Sequence, residues 1–80
     1  MKALIHITLK PEVLDPQGKA VQAALDSLGF SGVDSVRQGK VIEISMSETD
    51  VAKARENVEA MCEQLLAKTV IENYSIEILE

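Results

Sequence analysis

The sequence contains few of the residues that usually stabilise or equip a small protein. Its 80 residues include one cysteine, one histidine, one phenylalanine and one tyrosine, with no tryptophan. One cysteine excludes an internal disulfide, and together with one histidine it cannot supply the four nitrogen and sulfur ligands of a typical zinc site. Because the core must be built from aliphatic side chains and Met, we expect oligomerisation to add stability.

The charge balance is acidic, with 13 Asp and Glu against eight Lys and Arg and a formal net charge of -5. An excess of negative charge repels the phosphates of nucleic acids and of anionic membranes. No apolar run reaches the length of a membrane span, and His6, Thr8 and Lys10 interrupt the N-terminal stretch before a signal-peptide core forms. We therefore expect a cytoplasmic protein that binds neither nucleic acid nor membrane.

The first part of the chain predicts a strand followed by a helix. Apolar residues alternate with others over residues 3–9, which is the two-residue period of a strand. Asp15 is placed to cap a helix whose first position is Pro16, and Gly29 is placed to end it in a left-handed turn. The apolar stripe of this helix consists of Val21, Ala24, Leu25 and Leu28.

The second part predicts two strands, a long helix and a last strand. Residues 33–37 and 40–46 have strand composition and are separated by a turn in which Gly39 would supply a positive φ. A helix is predicted over residues 48–68, where apolar residues recur at helical spacing, and a strand over residues 71–79.

This order of elements predicts one α+β domain over residues 1–80, with two helices on one face of a four-stranded antiparallel sheet. The arrangement β-α-β-β-α-β is ferredoxin-like or a close variant of it. Two helices cover only one face of such a sheet, which leaves Leu4, His6 and Val41 on the other. We expect a second copy of the chain to pack on that face.

The sequence contains two residues that could take part in catalysis, and neither has sequence neighbours that would support it. His6 lies in the middle of a strand without a neighbouring nucleophile, and Cys62 lies in the apolar stripe of the long helix. The sequence therefore predicts no catalytic, metal-binding or cofactor-binding residues, and the residues alone indicate a binding domain with an unidentified partner.

Three strings of sequence together resemble a known family. They are Leu14-Asp15-Pro16-Gln17-Gly18, Val36-Arg37-Gln38-Gly39-Lys40 and the run from Cys62 to Tyr74. In this order and at this chain length the sequence is similar to the PurS family, the small subunits of phosphoribosylformylglycinamidine (FGAM) synthase. The resemblance covers essentially the whole chain.

The resemblance implies a role in purine biosynthesis. A glutaminase subunit releases ammonia from glutamine, and a larger synthetase subunit uses it with ATP and Mg to form the amidine. A PurS subunit contributes no catalytic residues to this ligase, is a homodimer, and bridges the other two subunits so that ammonia passes between them. The activity would therefore belong to the complex, and ATP and Mg would be bound by other chains.

The resemblance also suggests where partners could dock. The start of the first helix (Asp15, Gln17 and Gly18) and the predicted hairpin tip (Arg37 and Lys40) are the candidate docking residues. The competing interpretation is that the Asp and Gly residues there only shape the backbone. An alternative function is an ACT-like dimeric sensor of small molecules, although the segment that follows the first strand lacks the glycine-rich turn usual in such modules.

Overall fold

A computed structural model of the chain describes residues 1–79. In chain order these residues form β1 (Lys2–Leu9), α1 (Pro16–Ser27), β2 (Gly39–Ser45), α2 (Val51–Met61) and β3 (Glu72–Leu79). A short π-helical segment, Cys62–Leu66, continues directly from α2. Among the described residues, none of the helices has the length and apolar character needed to cross a membrane.

The sheet has β1 at its centre, with β2 and β3 paired antiparallel on either side. The alternating pattern of β1 is confirmed, because Ala3, Ile5 and Ile7 are all fully or almost fully buried on one face, the inner face. On the inner face of β3, Tyr74 lies opposite Ile7 and Ile76 lies opposite Ile5. The other face, the outer face, carries the even-numbered residues of β1.

The core lies between the inner face and α2. Ala54, Val58 and Cys62 are fully inaccessible to solvent, and the last two join the buried side chains of β1 in one cluster. Asp50 caps α2, since its carboxylate accepts the N–H of Ala52 at 2.9 Å and of Lys53 at 3.3 Å. The helix predicted over residues 48–68 is shorter at both ends. α2 begins at Val51, directly after its cap, and the π-helical segment that continues it ends at Leu66.

The predicted four-stranded sheet is wrong, because the described residues form a sheet of three strands. Residues 33–37 belong to no helix or strand and pair with none of the three strands. Instead, the side-chain amide of Gln22 on α1 donates to the carbonyls of Val33 at 3.3 Å and Asp34 at 3.0 Å. These bonds hold the start of the segment against α1, and the segment forms no ladder with β2.

The predicted turn at Gly39 is also wrong. The positive φ angles belong to Gly29 and Gly32, so Gly29 ends α1 as expected. Gly39 begins β2, and a β-carbon there would lie 2.5 Å from the carbonyl oxygen of Ile7 on β1. Glycine at this position therefore allows a close approach of two strands and does not form a hairpin turn.

The two helices do not lie together on the sheet, which is a second departure from the ferredoxin-like arrangement. Only α2 packs on the inner face. α1 and the segment that returns along it, residues 33–38, which we call the returning segment, project from the end of the sheet where β1 ends and β2 begins. We call this projection, residues 15–38, the arm. The radius of gyration is 16.1 Å, whereas a compact chain of this length has about 12 Å. The molecule is therefore elongated, with a longest dimension of 48 Å.

Candidate functional site at the base of the arm

The structure brings all five predicted docking residues to one place, the base of the arm. A cavity of about 230 Å³ opens there between the end of the sheet and the start of α1. It is lined by Ile7, Leu9, Asp15, Gln17, Gln38, Gly39, Lys40 and Glu72. Two segments that are more than twenty residues apart in the sequence therefore form one surface.

Asp15 joins these two segments. One carboxylate oxygen accepts the N–H of Gly18 at 2.8 Å and caps α1, as predicted, while the other accepts the N–H of Gln38 at 2.7 Å. The bond from Gln38, followed by the bond from Gly18, holds the pKa of the Asp15 carboxyl below its ordinary value. Asp15 is only 4% exposed, so its carboxylate fixes the backbone and is not free for a partner.

Gly18 is buried for a steric reason. A β-carbon at this position would overlap with the carbonyl oxygen of Val36 on the returning segment. The backbones of α1 and this segment therefore touch at Gly18, and any other residue would force them apart. For Asp15 and Gly18 the structure supports the interpretation that they shape the backbone.

The remaining three residues present side chains at the surface. Gln17 and Lys40 are exposed and line the cavity. Arg37 is exposed too, but its guanidinium donates to the carbonyl of Lys10 at 2.9 Å, which ties the returning segment to the end of β1. The surface that a partner would meet at the base of the arm therefore carries the positive charges of Arg37 and Lys40, with the partly exposed Glu72 as an acidic neighbour in the cavity lining.

The groups with potential chemistry lie away from this cavity. His6 is on the outer face of the sheet, and Cys62 is buried under the inner face. Burial raises the pKa of the Cys62 thiol, and the neighbouring Glu63 and Glu59 carboxylates raise it further. Within residues 1–79, no cluster of three or more His, Cys, Asp or Glu side chains is arranged as a metal site. The geometry at the base of the arm supports binding.

The predicted dimer residues share the outer face, which no helix of the described chain covers. His6 and Val41 are directly paired across β1 and β2, and Leu4 lies next along β1. Their surroundings are polar, however: Lys2 forms a 2.8 Å ion pair with Glu43, and His6 lies 3.8 Å from a carboxylate oxygen of Glu77. The apolar part of this face is small, and its use in a dimer stays a prediction.

Sequence reasoning missed two residues that build the site. Gln22 holds the returning segment against α1, and the backbone of Gln38 is the second partner of Asp15. Neither contact leaves a periodic signal in the sequence. A glycine in the first turn of a helix was the available signal for Gly18, because glycine lowers helix stability and its presence there indicates a close contact.

Comparisons with known proteins agree on one family. The family model described as PurS: Phosphoribosylformylglycinamidine (FGAM) synthase matches residues 2–80. Phosphoribosylformylglycinamidine synthase subunit PurS of Synechocystis is 54% identical over 74 residues, which are 92% of this chain and 74% of the relative.

Solved structures share the fold as well. The crystal structure of PurS from Methanocaldococcus jannaschii, described as one of the subunits of formylglycinamide ribonucleotide amidotransferase in the purine biosynthetic pathway, superposes with a TM-score of 0.86. It is 46% identical, and the match covers 99% of this chain and 98% of that one. A chain of the PurLQS structure from Thermotoga maritima gives a TM-score of 0.88 at 31% identity, covering 98% of this chain and 95% of that one.

Proposed function

The chain belongs to the PurS family, and from this we infer that it is a subunit of FGAM synthase in purine biosynthesis. The observation that carries the inference is the match of the family model to residues 2–80. The similarity to a chain of the PurLQS structure supports work within a complex. Nothing in these comparisons favours the ACT-like sensor.

We propose further that the chain is a non-catalytic adaptor between a glutaminase subunit and an ATP-dependent synthetase subunit. The base of the arm has a shaped surface and two positive charges, while the chain's histidine and cysteine lie elsewhere. ATP and Mg would be bound by the synthetase subunit. An adaptor has a physical purpose here, because free ammonia is protonated or lost in bulk water unless the two active sites are held in a closed assembly.

In this proposal the chain is a homodimer in the cytoplasm. Its fully buried core is small, so a second copy would add stability that the single chain lacks. A lone reduced thiol and an acidic surface suit the cytoplasm, where glutamine and ATP are available.

The adaptor role is tested by measuring amidine synthesis by purified glutaminase and synthetase subunits with and without this chain. We expect turnover driven by glutamine to require the chain and turnover driven by added ammonia not to require it. If both rates are the same without the chain, the adaptor role is excluded.

The docking surface is tested with Arg37→Glu combined with Lys40→Glu. Charge reversal at the base of the arm should weaken complex formation in a pull-down while the circular dichroism spectrum of the chain is retained. Lys53→Glu with Lys68→Glu makes the same change in net charge at exposed positions outside the arm and is the matched control. Equal binding by both double variants would remove the base of the arm as the docking surface.

A further inference from the structure

The arm has a groove on the side of α1 that faces away from its apolar stripe. The groove, which we call the arm groove, has a volume of about 280 Å³. One wall comes from α1 within residues 19–26, and the other comes from residues 30–33 beyond the helix. Lys19 lines the groove, whereas the apolar stripe begins at Val21, and two residues are about 200° apart around a helix. The groove and the stripe are therefore separate surfaces of the same helix.

The wall beyond the helix is held in place by hydrogen bonds of the chain. The N–H of Phe30 donates to the carbonyl of Leu25 at 3.0 Å. The side-chain amide of Gln22, which lies in the groove, donates to the carbonyl of Val33 at the other end of the wall. A groove that is formed before a partner arrives costs little ordering entropy on binding.

Phe30 is the apolar side chain that this groove presents. The chain has two aromatic residues, and the other one, Tyr74, packs against the core cluster. Phe30 is 59% exposed although its backbone is fixed. Aromatic residues are enriched in the centres of protein interfaces, where one of them often supplies much of the binding free energy. An exposed ring on a fixed backbone is therefore typical of an anchor for a partner protein.

Charges of opposite sign lie at the two ends of the α1 wall. Lys19 and Asp26 are exposed, line the groove and are seven residues apart, which is about 10 Å along the helix axis. Within residues 1–79 neither of them forms an ion pair. Ala23 lies between them in the lining and leaves room for a close approach. A second helix lying along the groove could place an acidic and a basic side chain two turns apart against these charges, with an apolar side chain against Phe30.

An adaptor needs two docking surfaces that can be occupied together. The cavity at the base of the arm and the arm groove share no lining residue. Gln17 lines the first and Lys19 lines the second, so α1 itself separates them. A protein docked at the base would leave the groove accessible.

We propose that the arm groove binds an amphipathic helix of a large synthase subunit, namely the subunit that does not dock at the base of the arm. Phe30 is the apolar anchor, and Lys19 and Asp26 set the direction of the bound helix. This inference rests on the adaptor role in the proposed function and adds to it a second docking surface and the form of its partner.

The anchor is tested with Phe30→Ser in the reconstituted synthase. We expect the concentration of the chain that gives half-maximal glutamine-driven turnover to rise at least about tenfold, with the turnover at saturation unchanged. Phe30→Tyr keeps the ring and should stay within about twofold of the native chain. Both variants should keep the circular dichroism spectrum, because Phe30 lies outside the core cluster.

The direction of the bound helix is tested by exchanging the two charges. Lys19→Asp with Asp26→Lys keeps the net charge and should raise the half-maximal concentration as Phe30→Ser does. Lys53→Glu with Glu56→Lys makes the same kind of exchange on an exposed side of α2 and should have no effect. Native behaviour of both Phe30→Ser and the Lys19 and Asp26 exchange would exclude the groove as a docking surface.

A crosslink identifies the occupant. Ala23→Cys is labelled with a photoreactive maleimide, to which the fully buried Cys62 is inaccessible in the native chain, and the complex is then assembled and irradiated. We expect a product that joins the chain to one large subunit, while the same label on Glu56→Cys gives none. A link to a second copy, no link in an assembled complex, or equal links from both positions would overturn the proposal.

The failure of this proposal differs from the failure of the adaptor role. If only the groove is wrong, the native chain is still required for glutamine-driven turnover, and the variants at Phe30, Lys19 and Asp26 act like the native chain. If the native chain itself is not required and assembles with neither large subunit, the adaptor role and the groove are both excluded.

Discussion

The molecule has two regions, the sheet packed by α2 and the arm, and they are stabilised in different ways. In the first region, apolar side chains such as Ile5 and Val58 are completely buried against one another. In the arm, the buried residues are Asp15 and Gly18 at its base, while Leu28 near its far end is 72% exposed. The first region thus has a core of its own, whereas the arm depends on backbone contacts at its base and on what lies beyond the chain.

The largest effect expected from this difference is in the core. Ile5→Ala should lower the free energy of unfolding by about 2–5 kcal/mol, because it removes buried methyl groups and leaves a cavity. Leu28→Ala, measured in urea at concentrations where the chain is monomeric, should change it by less than about 0.5 kcal/mol. Equal losses for the two variants would show that the arm has an intramolecular core.

A smaller effect is expected at the base of the arm. Gly18→Ala should lower the free energy of unfolding by about 1–3 kcal/mol, because the added methyl group displaces the returning segment. Alanine normally stabilises a helix relative to glycine, so the sign is opposite to the propensity. Gln17→Ala at the preceding exposed position is the control and should be nearly neutral in the same urea titration.

Asp15 gives a prediction about pH. Its pKa is lowered in the folded chain, so the stability that its carboxylate contributes is present above the unfolded pKa and is lost as pH falls below it through the folded pKa. The difference in stability between the native chain and Asp15→Asn should therefore shrink as the pH falls from about 4 towards 2. Asp26→Asn, on the exposed side of α1, should show a much smaller change in thermal unfolding over the same range.

The smallest effect is expected on the outer face. The ion pair of Lys2 and Glu43 is 2.8 Å long, but both side chains are about half exposed. A double-mutant cycle with alanine at both positions should give a coupling of about 0.2–1 kcal/mol that decreases with added salt. A larger coupling that resists salt would indicate that this face is covered by a partner in solution.

The two regions also differ in how well the sequence predicted them. The strands and the burial of β1 were predicted because a two-residue period reports which face of a strand is buried. The strand expected over residues 33–37 was wrong although its composition suits a strand. Its first two carbonyls, those of Val33 and Asp34, accept hydrogen bonds from Gln22, eleven and twelve residues away in the chain, and such a side-chain contact has no period to detect.

The candidate site shows a similar division. The first two strings that carry the family resemblance meet at the base of the arm, and the third reaches it only at Glu72, but their residues have different roles there. Asp15 and Gly18 face the backbone, while Gln17 and Lys40 face the cavity. Residue type alone could not separate these roles, because the separation depends on how closely α1 and the returning segment approach.

The contact at Gly18 also controls the position of the far end of the arm. α1 is about 18 Å long, so a tilt of about 10° at its first turn would move its far end by about 3 Å. A displacement of that size is close to the width of a side chain, and it would be reached without any change inside the sheet. The absence of a β-carbon at Gly18 therefore determines where the far end of α1 lies relative to the sheet.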